Sequence, residues 1–203
     1  GQDDSRPFAA TTRTTAKDAA PRIPGERPVT RLQTFGIVIV AYVLAHGLTA
    51  WLITPVQALL LPDVTDFASL AYLPHGVRVL ATWLLGPIAF VPLALGAFLS
   101  ELMFTPSDVS QATQPVILLS IVAGAAASPL AFEMMRGFGF NLYARQPRRG
   151  HWKWLLLVGW IASFTNSLAQ STIFSQSILP GEAVTVLVIY AIGDLIGLVV
   201  TTL

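Results

Sequence analysis

Residues 32–53 read LQTFGIVIVAYVLAHGLTAWLI, a run without a single Lys, Arg, Asp or Glu. About 20 helical residues cross a bilayer, so the run is long enough to span one. Pro55 closes it on the far side. The core of a cleaved signal peptide holds only about 7–15 apolar residues, and the polar leader here is far longer than such peptides carry. The stretch is therefore read as a retained transmembrane helix.

Further apolar segments follow at spanning length. Residues 67–85 (FASLAYLPHGVRVLATWLL) and 88–104 (IAFVPLALGAFLSELMF) are separated by Gly86-Pro87, a tight-turn signal. Residues 115–136, 154–174 and 182–203 complete the set, with Trp152 and Trp154 at an interface position before the fifth. The expectation is an all-α fold: a polytopic integral membrane helical bundle of about six transmembrane helices over residues 32–203. Composition agrees. The chain has 203 residues, 54% hydrophobic and 11% charged, against about 25% charged in soluble domains. It has no cysteine, which excludes disulfides, thiolate nucleophiles and Cys-based zinc sites. Its three histidines, His46, His75 and His151, form no metal-ligand spacing, so no metal and no cofactor is expected.

Residues 1–31 are polar and rich in Pro, Thr and Ala, with no helical or strand period, which predicts a disordered or partner-bound cytoplasmic tail. The net charge of +1 conceals a strong asymmetry. Arg6, Arg13, Lys17, Arg22, Arg27 and Arg31 precede the first span; Arg136, Arg145, Arg148, Arg149 and Lys153 flank the connection between the fourth and fifth. Asp63, Asp66, Asp108 and Glu182 fall in the opposite loops. Six crossings put both basic clusters on one side, so the positive-inside rule predicts both termini in the cytoplasm. The basic residues suit anionic lipid headgroups, and nucleic-acid binding is not needed to explain them.

Arg78 is the basic residue left within a span. A central Arg or Asp costs roughly 2.5–3.5 kcal/mol on insertion scales, so it needs a reason to be there. Arg78 and Asp194 come out at nearly equal depth in the second and sixth spans, which predicts an ion pair between them. His75 shares the Arg78 helix face. His46 and Asn166 fall at middling depth, with Gln170 one turn beyond Asn166. Pro74 and Gly76 suggest a helix that starts near His75, whose free amides would face an anion. Two readings stay open: a ligand site built from His75, Arg78, Asp194, Asn166 and His46, or a structural clamp. Glu101 and Glu133 read as interfacial. Small residues mark close helix contacts: Gly193 and Gly197 around Asp194, Gly124 with Ser128, and Gly159 with Ser163.

The run YLPHGVRVLATWLLGPIAFVPLALGAFLSEL and the closing YAIGDLIGLVVTTL together resemble the MASE1 membrane sensor domain. Pro74 and Gly76 match that family's Pro and Gly break, Gly86 its turn and Gly96 a glycine of the next helix. Gly193, Asp194 and Gly197 match its final Gly-Asp-x-x-Gly helix. The sequence departs from the family where His75 and Arg78 replace small or apolar residues, in having six spans for eight, and in showing no output domain after Leu203.

The resemblance, over residues 67–203, implies a bacterial inner-membrane sensory domain. The function expected is non-enzymatic: a small ligand, its identity not legible, bound in an intramembrane polar pocket, with signalling through a protein partner. That partner would meet the N-terminal tail or the glycine-rich helix faces. A transporter or its substrate-binding membrane subunit, and an accessory subunit of a larger membrane complex, are the alternatives. No HExxH, GxSxG, paired carboxylates or phosphate loop argues for catalysis.

Overall fold

A computed structural model of the chain describes residues 30–60, 71–105, 113–144, 152–174 and 183–202. The polar tail before residue 30 lies outside these, and so do Asp63, Asp66, Asp108, Arg145, Arg148, Arg149, His151 and Glu182. Among the described residues all regular structure is helical.

Helix α1 spans Arg31–Leu48. A π-helical turn, Thr49–Ile53, joins it to α2, Thr54–Leu60. Pro55 thus does not close the segment. It sits in the first turn of α2, where a missing amide is tolerated, and the helix runs on past it. Helix α3, Leu73–Leu85, starts six residues later than residue 67, with Pro74 in its first turn. Gly86 follows at φ +76°, a left-handed backbone that side chains with a Cβ rarely adopt. A 3₁₀ turn, Gly86–Ala89, then leads into α4, Phe90–Phe104. Helices α5 (Pro115–Gly137), α6 (Trp152–Ile173) and α7 (Ala183–Thr202) complete the bundle.

Three helical stretches are long and apolar enough to cross a membrane: Arg31–Leu59, Leu73–Phe104 and Pro115–Gly137. Helix α6 has the length, but Lys153, Asn166 and Gln170 dilute its apolar character. In α7 the shorter apolar part Ala191–Thr202 stands out.

Side-chain contacts fix the helix directions. The Leu73 amide donates to Thr49 Oγ1 at 3.3 Å while Arg78 reaches Tyr42, so α3 runs against α1. Gly96 packs on Tyr42 and Gly47 on Phe104, so α4 runs with α1. The stretch Leu73–Phe104 therefore doubles back at Gly86. Ser120 meets Gln170 at one end of α5 and α6, and Phe132 shares a cluster with Val158 near the other; these two are antiparallel. Gly197 abuts Tyr72 and Gly76 abuts Thr201, which lays α7 alongside α3 in the same direction.

Two apolar clusters hold the bundle together, and α3 contributes to both. Tyr42, Ala81, Leu93, Ala97 and Ala125 form one; Val79, Ala131, Phe132, Val158, Ala162 and Leu198 form the other. The outside is just as apolar: Leu44 is 66% and Trp51 73% exposed. Large apolar side chains outside and charged ones inside invert the pattern of a water-soluble domain, and suit a hydrocarbon solvent.

Candidate functional site

The polar centre of the bundle forms where α3 begins. Tyr72, just before it, donates its amide to the Gly193 carbonyl of α7 at 2.9 Å. Gly197 makes this docking possible, because a Cβ there would overlap the Tyr72 carbonyl. A Cβ on Gly76 would likewise collide with Thr201 Oγ1. Close approach of α3 and α7 sets His75 and Asp194 face to face. His75 Nδ1 lies 3.4 Å from Asp194 Oδ2. On the other side of the ring, Nε2 lies 3.1 Å from the Gly159 carbonyl of α6. Gly159 is itself a contact point, since a Cβ there would overlap Leu198.

Asp194 is thus paired with His75, not Arg78. This corrects the expected Arg78–Asp194 ion pair. The expected equal depth does not hold: the Tyr72–Gly193 and Gly76–Thr201 contacts set Asp194 level with the start of α3, so His75 meets the carboxylate and Arg78 lies beyond it. Among the described residues no carboxylate lies within ion-pair distance of Arg78. The guanidinium instead donates from Nη2 to the Tyr42 hydroxyl at 2.6 Å. Its central carbon stands 5.5 Å from the Tyr42 ring centre and 5.6 Å from that of Tyr72. Two aromatic faces attract a cation through their quadrupoles, most strongly where water is excluded. Gly124 of α5 closes the cage, and a Cβ there would come within 2.9 Å of Nη2.

All three ionisable groups are buried, with 0% exposure for His75, 6% for Arg78 and 1% for Asp194. None faces lipid. Their partners are few, however. His75 Nδ1, Arg78 Nε and Asp194 Oδ2 lack a well-formed hydrogen bond among the described residues. So do the hydroxyls of Thr82, Ser128, Ser163 and Ser167. Buried polar atoms are paired in the great majority of proteins.

The other two candidate residues sit apart. His46 stacks on Phe104, with ring centres 5.6 Å apart, and meets the edge of Tyr72 at 6.2 Å. It borders the cage through an aromatic ring. Asn166 belongs to a second polar group, where its Oδ1 accepts from Gln170 at 3.4 Å. Gln170 in turn pairs with Ser120, accepting from its hydroxyl at 2.8 Å and donating to its carbonyl at 3.1 Å. The amides at the start of α3 are not free for an anion: the Leu73 amide is used by Thr49 and the His75 amide by Tyr72.

Sequence reasoning missed the two tyrosines. Tyr72 lies six residues before Arg78, in YLPHGVR, and Tyr42 lies one helical turn before His46 on the same face. No group of three or more His, Cys, Asp or Glu side chains among the described residues is arranged to hold a metal. The Nε2 of His75 faces the Gly159 carbonyl, and the Arg78 guanidinium is caged by two tyrosines. No protein-family profile, characterised protein or solved structure matches this chain.

Proposed function

We propose that this chain is a MASE1-like, non-enzymatic protein of the bacterial inner membrane. It binds a small ligand in the polar centre around His75, Arg78 and Asp194 and acts through a protein partner. One observation carries the reading: a guanidinium caged by Tyr42 and Tyr72, with no carboxylate within ion-pair distance among the described residues, lies on the same helix as the buried His75–Asp194 contact. A clamp built for stability alone would pair Arg78 with Asp194, because an uncompensated buried charge is strongly destabilising. Here the carboxylate is engaged elsewhere, and the cation is left ready for an incoming group.

The reading includes six crossings with both termini in the cytoplasm. Support comes from the alternating helix directions, the reversal at Gly86, and Arg31 and Arg136 at the same end of the bundle. Because the chain has no cysteine, single cysteines introduced at Thr30 and Ala144 report sidedness cleanly. Both should be shielded from an impermeant maleimide in intact cells, while one at Thr105 reacts. Reaction at Thr30 but not at Thr105 would overturn the orientation.

Ligand binding is tested by native mass spectrometry of the full chain released from nanodiscs. The wild type should retain an additional small mass, and Arg78→Met should lose it while keeping its helical circular dichroism. Identical bare spectra for both would sink the reading. The Ser120–Gln170–Asn166 hydrogen-bonded group favours transport as a second reading, since it places a second polar group between α5 and α6. Counterflow of the released compound in liposomes holding this chain alone would establish it.

A further inference from the structure

The surroundings of the His75 ring constrain its protons. A carbonyl oxygen only accepts, so Nε2, facing Gly159, must carry a hydrogen. In a neutral imidazole the other nitrogen then presents a lone pair, and Nδ1 presents it to Asp194 Oδ2 across 3.4 Å. Were the carboxylate ionised as well, two lone pairs would face each other in a buried space. Neither atom has another hydrogen-bond partner among the described residues. One proton placed between them removes the conflict. The pair then has no net charge, whether written as carboxylic acid with imidazole or as carboxylate with imidazolium.

We propose that His75 and Asp194 together form a buried proton-binding site, and that Arg78 is the fixed counter-charge that allows it to empty. The proposal rests on the ligand-site reading above and names one of its ligands, the proton. When the proton leaves, the pair carries −1, and the guanidinium one turn along α3 balances it. When the proton returns from water, the pair is neutral and Arg78 is the unbalanced charge of the centre. An anion entering the tyrosine cage is then favoured by the same step that fills the proton site.

The ionisable groups around the pair come from each packed element. Helix α1 brings Tyr42 and His46, the chain before α3 brings Tyr72, and α3 itself brings Arg78. Glu101 on α4 acts on His46. Helix α5 brings Gly124 against Arg78, and α6 brings the Gly159 carbonyl against His75. Arg78 is the member of this set that stays cationic throughout the titration, which is why its removal is the sharpest test.

The test uses the full chain in nanodiscs with ¹⁵N-labelled histidine, the His75 signals being assigned by their loss in His75→Gln. Between about pH 5 and pH 8, where histidine-linked protons exchange, Nδ1 should pass from hydrogen-bonded to bare. Nε2 should stay protonated throughout. Infrared difference spectra over the same range should carry a carboxyl band that is lost in Asp194→Asn and displaced, not lost, in Asp194→Glu. Arg78→Gln should hold the proton to higher pH, by about tenfold in proton concentration.

An Nδ1 signal that does not move in the wild type would overturn the proposal, and so would one that moves unchanged in Asp194→Asn. If Asp194→Asn does not fold, the wild-type Nδ1 signal and the Arg78→Gln displacement decide alone. A chain that titrates at His75 yet carries no additional mass refutes the small-molecule reading and leaves the proton site standing. The opposite pair of results does the reverse.

Discussion

Two acidic–basic contacts, at different places in the bundle, obey different rules. Glu133 and Arg136 sit three residues apart near the end of α5, 3.3 Å from each other, with side chains 39% and 59% exposed. Tyr143 adds a third member by donating its hydroxyl to Glu133 at 2.7 Å. His75 and Asp194 lie 3.4 Å apart with side chains 1% and 2% exposed, and each leaves an atom without a formed hydrogen bond among the described residues. The surface group is well connected where connection matters little, because solvent already stabilises its charges. The buried group is sparsely connected where every missing partner is expensive. Sparse bonding at the surface is ordinary; in the interior it marks the site.

The strongest way to break this contrast is to remove the buried carboxylate. Asp194→Ala leaves His75 Nδ1 without the carboxylate it faces. The expected loss is about 3–5 kcal/mol of stability, read by thermal unfolding followed by circular dichroism in nanodiscs. A loss under about 1 kcal/mol would show that the centre behaves like a surface pair.

Next in size is Gly124→Ala. The added Cβ meets Nη2 at 2.9 Å, so the guanidinium must shift against the Tyr42 hydroxyl that it donates to. Overpacking of this kind costs about 1–3 kcal/mol. Repeating it in an Arg78→Met background tests the cause, since the penalty should shrink when the guanidinium is gone. An unchanged penalty would assign the tight fit to the helix backbones.

These two residues show how far the sequence could be read. Spanning length, the Gly86 turn and the helix start at Pro74 are local signals, and each has a local cause in the structure. The burial of Arg78 and Asp194 was legible from their rarity in apolar runs. Their partners were not. Depth was counted from a start at residue 67, whereas the helix starts at Leu73, and that shift along the axis decided that His75, not Arg78, meets Asp194. The phenol cage escaped for another reason: tyrosines are common in membrane helices, and only helix packing tells which of them face inward. Pro55 was misread because a proline in the first turn of a continuing helix looks the same in sequence as one that ends it.

A smaller effect sharpens the contrast from the surface side. Burial, followed by the hydrogen bond to Glu133 and its charge, raises the Tyr143 phenol above the ordinary value of 10.0, with Arg136 partly opposing. The folded chain therefore holds that proton more tightly than the unfolded one. The stability this contributes is complete below pH 10.0 and is lost as pH rises through the folded value. Tyr143→Phe should cost about 0.5–1.5 kcal/mol at neutral pH and remove this alkaline loss. Parallel alkaline unfolding curves for the two proteins would refute it.

The smallest expected effect is at Arg136. Its guanidinium reaches both Glu133 oxygens, at 3.3 and 3.4 Å, with long and weakly directed bonds. Its place in the last turn of α5 lets it interact with the helix dipole without Glu133. Water and lipid headgroups can replace whatever the carboxylate provides. Arg136→Ala should therefore change stability by no more than about 0.5 kcal/mol, and the change should fade as salt is added. The Asp194→Ala loss should persist in the same salt, because ions do not screen a contact they cannot reach. If salt erased both losses equally, the buried pair would have to be open to water, and the distinction between the two contacts would fail.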